Sequence, residues 1–302
     1  MRTQTVYLWT LVLMASLLLT RCNVFEGFSG PGQSNDPETL LEDALLALQS
    51  GKTEAAIEYL EKALANAPPG HRLRPRVQVA LSNALLRKAQ VNVLTLERLA
   101  RDFNHRVEGQ RAAKQRTSFQ EACSFPETHI VQQEITLDDL DGYVELSSWE
   151  EALRRVEEIT REVLGTTTLP FDIQGRIATL RSQGVSDEEI AAALLNAAIA
   201  SVGTSFIELV QVGMQQQVRW YSVRRPGGRA YLGYCANDEA TVAQVRQRLA
   251  CSVDAVGFAA ALLQARVALL NNSQLARELG QRVQEAYEAL EENLGGECTT
   301  ID

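Results

Sequence analysis

The sequence predicts a mainly α protein, with helical hairpins followed by a helical bundle that carries one small β-hairpin. Three observations predict it. Apolar residues recur at the i, i+3, i+4 spacing of amphipathic helices over much of the chain. Two Ser-x-x-Glu boxes, Ser148-Trp149-Glu150-Glu151 and Ser186-Asp187-Glu188-Glu189, read as helix starts. Pro226-Gly227-Gly228 separates two runs rich in aromatic and β-branched residues, the pattern of a hairpin. The chain has 302 residues, 45% of them hydrophobic, which excludes a disordered protein and allows one large domain or two ordinary ones. Its net charge of −9 disfavours nucleic acid as a partner. Three scattered histidines (His71, His105, His129) leave little room for a histidine-rich metal site or catalytic triad.

Residues 1–21 predict a signal peptide. Arg2 supplies the positive start, and Val6 to Leu19 is a 14-residue apolar stretch, too short for a comfortable membrane span of about 20 residues. It ends at Leu19-Thr20-Arg21-Cys22, which resembles the lipobox of bacterial lipoproteins. That resemblance implies a lipid-modified Cys22 and an exported protein. Asn23 after the cysteine implies the outer membrane, facing the periplasm. Arg21 departs from the pattern, which has a small residue there; an uncleaved anchor and a misread start are the alternatives. Residues 22–35 are rich in Gly, Ser and Pro and predict a flexible tether.

Residues 36–116 predict paired helices. Asp36-Pro37-Glu38 is an N-cap acid, a first-turn proline and a first-turn acid. Leu40, Leu41, Ala44, Leu45 and Leu48 then give one apolar face, and Gly51 a turn. Ala55, Ala56, Ile57, Leu60, Ala63 and Leu64 follow, before Pro68-Pro69-Gly70. Ala44, Ala47, Gly51, Ala56, Leu60, Ala63 and Pro68 fall where the tetratricopeptide repeat (TPR) places its small, turn, large and breaker residues. Small residues let two helices approach closely, and the large one fills the groove. A second pair is predicted over 72–116, with Val77, Ala80, Leu81, Ala84 and Leu85 on one face and Leu94, Leu96, Leu99 and Phe103 on another. Over residues 20–105 the plan is similar to the TPR lipoproteins of the cell envelope, including that of the outer-membrane β-barrel assembly machinery. The resemblance implies a protein-docking role.

Residues 117–147 lose helical periodicity and predict an irregular acidic connector. The C-terminal domain, 148–302, is predicted to open with a helix to about Gly165. A long apolar helix follows from Ile190 to about Met214, where Asn196, Ser201, Thr204, Ser205, Glu208 and Gln211 argue for a core helix over a membrane span. The hairpin is expected at about 217–235, and helices at about 238–249, 252–270 and 273–294.

Export makes disulfides the expected use of an even cysteine count. A helix between Cys235 and Cys251 would hold them roughly 18–20 Å apart, beyond the ~7 Å Cα limit of a disulfide. Cys251 precedes the expected helix at 252–270 and Cys298 follows the one at 273–294, so antiparallel packing favours Cys251–Cys298 and leaves Cys123–Cys235. Four reduced, buried thiols are the alternative.

No enzyme signature survives inspection. Asp139-x-Asp141-Gly142 with Glu145 resembles a calcium loop only faintly, because Leu137 and Ser148 stand at the two key ligand positions. Cys123 and His129 lack a third partner. Neither a metal nor a cofactor is expected. Charge says more. Eleven Arg or Lys face three acids over 71–116, whereas twelve acids face three arginines over 117–163. The two stretches either neutralise each other or leave the basic one to meet an acidic partner or anionic lipid.

The expected role is a non-enzymatic envelope lipoprotein that acts as an interaction scaffold or assembly factor. Its docking surface would involve Leu41, Ala44, Leu45 and Leu48, the basic residues Arg72, Arg74 and Arg76, and the hairpin arginines Arg224 and Arg225. The alternative is a periplasmic small-molecule or lipid-binding accessory subunit of a transporter, with a cavity beside the 190–214 helix.

Overall fold

The structure is a computed structural model. It describes residues 31–96, 98, 122–126, 128–135, 146–165, 171–215, 218–228, 230–270 and eight positions between 277 and 288. The chain forms two compact units, Met1–Ala80 and Leu81–Asp302. The division falls earlier than the expected boundary at 116.

In the first unit, helix α1 (Pro37–Gln49) starts as its sequence dictates. The Asp36 carboxylate accepts from the Thr39 N–H at 2.9 Å. That bond holds the carboxyl below its ordinary pKa. Gly51, at φ +76°, makes the left-handed turn into α2 (Thr53–Asn66), which stops before Pro68-Pro69. Leu40, Leu41, Ala44 and Ala47 of α1 and Ala56, Leu60 and Ala63 of α2 are buried. Alanines on both helices are what permits so close a pair. Helix α3 (Arg74–Lys88) begins in this unit.

The second unit is mainly helical around a small antiparallel sheet. Its elements are β1 (Ala122–Cys123), β2 (Ile130–Ile135), α4 (Leu146–Leu164), α5 (Ile173–Ser182), α6 (Asp187–Gln215), β3 (Arg219–Arg224), β4 (Ala230–Ala236) and α7 (Glu239–Leu269). The described positions between 277 and 288 are helical. The sheet order is β1-β4-β3-β2. The expected hairpin is its centre, with Trp220 opposite Tyr234 and Val223 opposite Tyr231. Strands β1 and β2 correct the expectation of an irregular connector at 117–147. Ile130 pairs with Arg224 and Ile135 with Trp220, with a bulge at Gln132.

The sheet is buried on both sides. Trp220 and Tyr234 pack on Val242, Val245, Leu249 and Val253 of α7. On the other face, Phe125 covers Tyr221, Val223 and Cys235. Gly233 is required there, because a Cβ would stand 2.5 Å from the Phe125 ring and 2.7 Å from a Val223 methyl. The disulfide Cys123–Cys235 joins directly paired residues of β1 and β4, with Cα atoms 4.0 Å apart.

Helix α6 opens with a complete capping box. The Ser186 N–H donates to Glu189 Oε2 at 3.0 Å, and the Glu189 N–H donates to Ser186 Oγ at 3.2 Å. The first box fares differently, since α4 already runs from Leu146 and encloses it. Helices expected at 238–249 and 252–270 are one helix, α7, whose Asp238 N-cap accepts from the Thr241 N–H at 2.7 Å. Asp187–Glu208 and Glu239–Leu269 are long and apolar enough to cross a membrane by length and composition alone. Within the first of these, 72% of the apolar window is buried against other parts of the protein, as in a core helix.

Gly233→Ala should therefore lower the stability of the second unit by about 1–3 kcal/mol, the usual range for overpacking a filled core. Denaturant midpoints of the wild type and the variant check this; equal midpoints would show that Phe125 yields without loss.

Candidate functional site

The first unit holds most of the expected docking residues, and the structure divides them. Leu41 and Ala44 are buried and serve the α1–α2 packing. Leu48 is half-buried. Leu45 remains 42% exposed, and its neighbour Leu46 60%. Leu46 was missed by periodicity, because it falls off the predicted stripe. Its signal was simply excess: α1 carries more leucines than one face can bury. The adjoining pair Leu45–Leu46 is thus the outward apolar feature of this helix.

The expected basic residues of this unit are largely engaged elsewhere. The Arg74 guanidinium donates to the Ala67 carbonyl at 2.6 Å and the Leu64 carbonyl at 3.3 Å. It closes the C-terminal end of α2, where free carbonyls and the helix dipole both favour a cation. Arg74 is thus a capping residue of α2. Arg72 pairs with Glu38 at 3.6 Å, both well exposed, a contact worth little energetically. Arg76 is half-buried and also has a partner. Most of 97–116, the rest of the basic stretch, lies outside the described residues.

The hairpin separates its arginines from its aromatics. Arg224 and Arg225 are exposed at the tip, where the Gly228 N–H donates to the Arg225 carbonyl at 3.0 Å. Trp220, Tyr221 and Tyr234 are buried in the two faces of the sheet. Burial raises both tyrosine pKa values, and the Tyr234 hydroxyl donates to the Val242 carbonyl at 3.4 Å. An exposed arginine–aromatic hot spot is therefore not assembled among the described residues.

The sequence also missed a polar seam between α6 and α7. Ser205 Oγ lies 2.7 Å from the Ser201 carbonyl and 3.2 Å from the Ser252 carbonyl. Ser252 Oγ donates to Glu208 Oε2 at 2.9 Å. Glu208 sits at the rim of this seam and keeps an exposed side. Desolvation nevertheless raises its pKa, with help from the Glu157 charge on α4; the Ser252 bond and Arg248 oppose the rise. Asn196 on the same helix is almost fully buried, with Nδ2 unpaired among the described residues.

Cys251 is disulfide-bonded. With Cys123–Cys235 formed, its partner within the chain must be Cys22 or the expected Cys298, both outside the described residues. Cys123, being bonded, offers no thiol to His129. Two open grooves of 430 and 380 Å³ lie along the C-terminal half of α7, the first toward Arg277 and Glu288, the second toward Phe171 and Asp172. Neither lies beside the 190–214 helix, where the transporter-subunit alternative requires a cavity.

Two outcomes follow. Arg74→Ala should destabilise the first unit by about 1–2 kcal/mol through lost charge-assisted capping, read as a lower denaturation midpoint. Folded Glu208 holds its proton to higher pH than unfolded Glu208 does. Its favourable contribution is present below the ordinary glutamate pKa and is lost as pH rises from that value through the raised one. Glu208→Gln should thus be more stable than wild type at about pH 7.5 and indistinguishable at about pH 3.5. A constant difference across that range would refute the assignment. No protein-family model matches the chain, and no curated protein matches it either.

Proposed function

We propose that this chain is a non-enzymatic lipoprotein of the bacterial envelope, anchored through acylated Cys22, that docks a protein partner on its first helical unit. The observation that carries this reading is the exposed Leu45–Leu46 pair on an alanine-packed helical hairpin. Exposed adjoining leucines on a rigid helix suit a hydrophobic contact with a partner. The hairpin's small-residue register supports the TPR-like interpretation. The Cys123–Cys235 disulfide supports an oxidising compartment, consistent with export. The apolar stretch and Leu19-Thr20-Arg21-Cys22 support the membrane address, and Asn23 its outer-membrane branch. The docking surface is the apolar Leu45–Leu46 pair of the first unit; Arg72 is exposed on that same unit, and Arg224 and Arg225 are exposed cations of the second unit.

The test is affinity capture from detergent-solubilised envelopes with wild type and the double variant Leu45→Asp, Leu46→Asp. Both positions are exposed, so the variant should stay folded at a cost of about 1–2 kcal/mol, checked by its denaturation midpoint. A stoichiometric partner held by wild type and lost at least tenfold by the variant is expected. Equal recovery by both, or no partner with either, contradicts docking through this face.

A further inference from the structure

The segment before α1 does not leave the first unit freely. Gly32 lies across α1 and α2, held at both of its main-chain polar groups. Its N–H donates to Asp43 Oδ2 of α1 at 2.8 Å. Its carbonyl accepts from Lys62 Nζ of α2 at 3.0 Å. The Tyr59 ring, one turn from Lys62, closes over the Cα: a Cβ built there would stand 2.0 Å from one ring carbon and 2.5 Å from the next. Gly32 also has φ +79°, which L side chains avoid. Charge, steric fit and backbone conformation thus select the same residue type.

We propose that Asp43, Tyr59 and Lys62 form a glycine-selective clasp whose occupant is Pro31-Gly32-Gln33 of this chain. The clasp fastens the membrane-proximal segment to the side of the helical pair. The consequence rests on the anchored-lipoprotein reading. With Cys22 in a bilayer, the tether reaches its first described attachment on the helical pair at Gly32, ahead of the α1 start. Ten residues separate positions 22 and 32. They span at most about 35 Å when extended, against about 50 Å for a leash that reaches Asp36. The first unit is then held near the membrane by a fixed point on the α1–α2 pair, which limits its swivel.

Amide hydrogen exchange on the full chain in detergent tests the clasp without assuming a lipid. The wild type, Gly32→Ala and Asp43→Ala are compared, with residues 37–66 as an internal control of folding. The expected result is a Gly32 amide at least ~10-fold slower than an unprotected one. Asp43→Ala, which removes the acceptor, should lose that protection while α1 and α2 keep theirs, and Gly32→Ala should lose it at position 32. Rapid exchange at Gly32 in the wild type overturns the proposal, as does unchanged protection of position 32 in both variants. Should Gly32→Ala also unfold the helices, Asp43→Ala decides alone. Intact mass scores acylation of Cys22 separately, so failure of the membrane reading is distinguished from failure of the clasp.

Discussion

Two apolar helices of 29 and 31 residues must hide their length from water, and in the second unit they pack against each other. Everything else in that unit is arranged around this pair. Burial of Ile190, Leu194, Ile207, Leu249, Phe258, Leu262 and their neighbours supplies the main driving force, at roughly 25 cal/mol per Å² of apolar surface removed from water. Small residues bring the neighbours close. Gly203 of α6 admits Leu153 of α4, whose methyl would stand 2.6 Å from a Cβ at that position. The seam Ser205–Ser252–Glu208 then gives this contact a definite register, because a slip of either helix would strand buried hydroxyls.

The sheet packs onto α7 of that pair. Its Trp220–Tyr234 face rests on the first turns of α7, with ring centroids 5.4 Å apart. The opposite face is closed by Phe125, which arrives from the chain segment between β1 and β2. A two-residue strand is a weak attachment by itself, so the Cys123–Cys235 bond matters more than its size suggests. It closes a loop across a sequence separation of 112, and loops of about that length are the ones whose closure most restricts the unfolded chain.

Much of this was legible in the sequence where the governing interactions are local. The α1 and α2 starts and stops, the Ser186 box and the hairpin turn follow from caps and turn residues acting over a few positions. Elements that depend on distant partners were not. Strand β2 contains Gln132, Gln133 and Glu134 and makes sense only beside β3. Helix α5 buries just Ile177 and Leu180 and carries Gly175 in its first turn, where the Asp172 carboxylate caps it at 2.9 Å. Ser252 has the composition of a helix start after Cys251, yet its hydroxyl serves Glu208 on the neighbouring helix and α7 runs through. Among the candidate docking residues, charge and periodicity did not resolve which side chains are core, cap or surface. Arg74 proved to cap α2, Leu41 and Ala44 to be core, and Leu46, off the stripe, to be exposed.

The proposed membrane anchor and the cysteine chemistry are coupled. Cys251 is bonded, and only Cys22 and Cys298 remain as its partners within the chain. An acylated Cys22 cannot join a disulfide, so lipid attachment requires Cys251–Cys298. Intact mass of the membrane-purified protein, alkylated before and after reduction, reads both at once. The expected species begins at Cys22, carries acyl mass, and takes up no alkyl groups before reduction and four after it. A 302-residue chain without acyl mass, or a reducible link between Cys22 and Cys251, would contradict the anchored-lipoprotein reading.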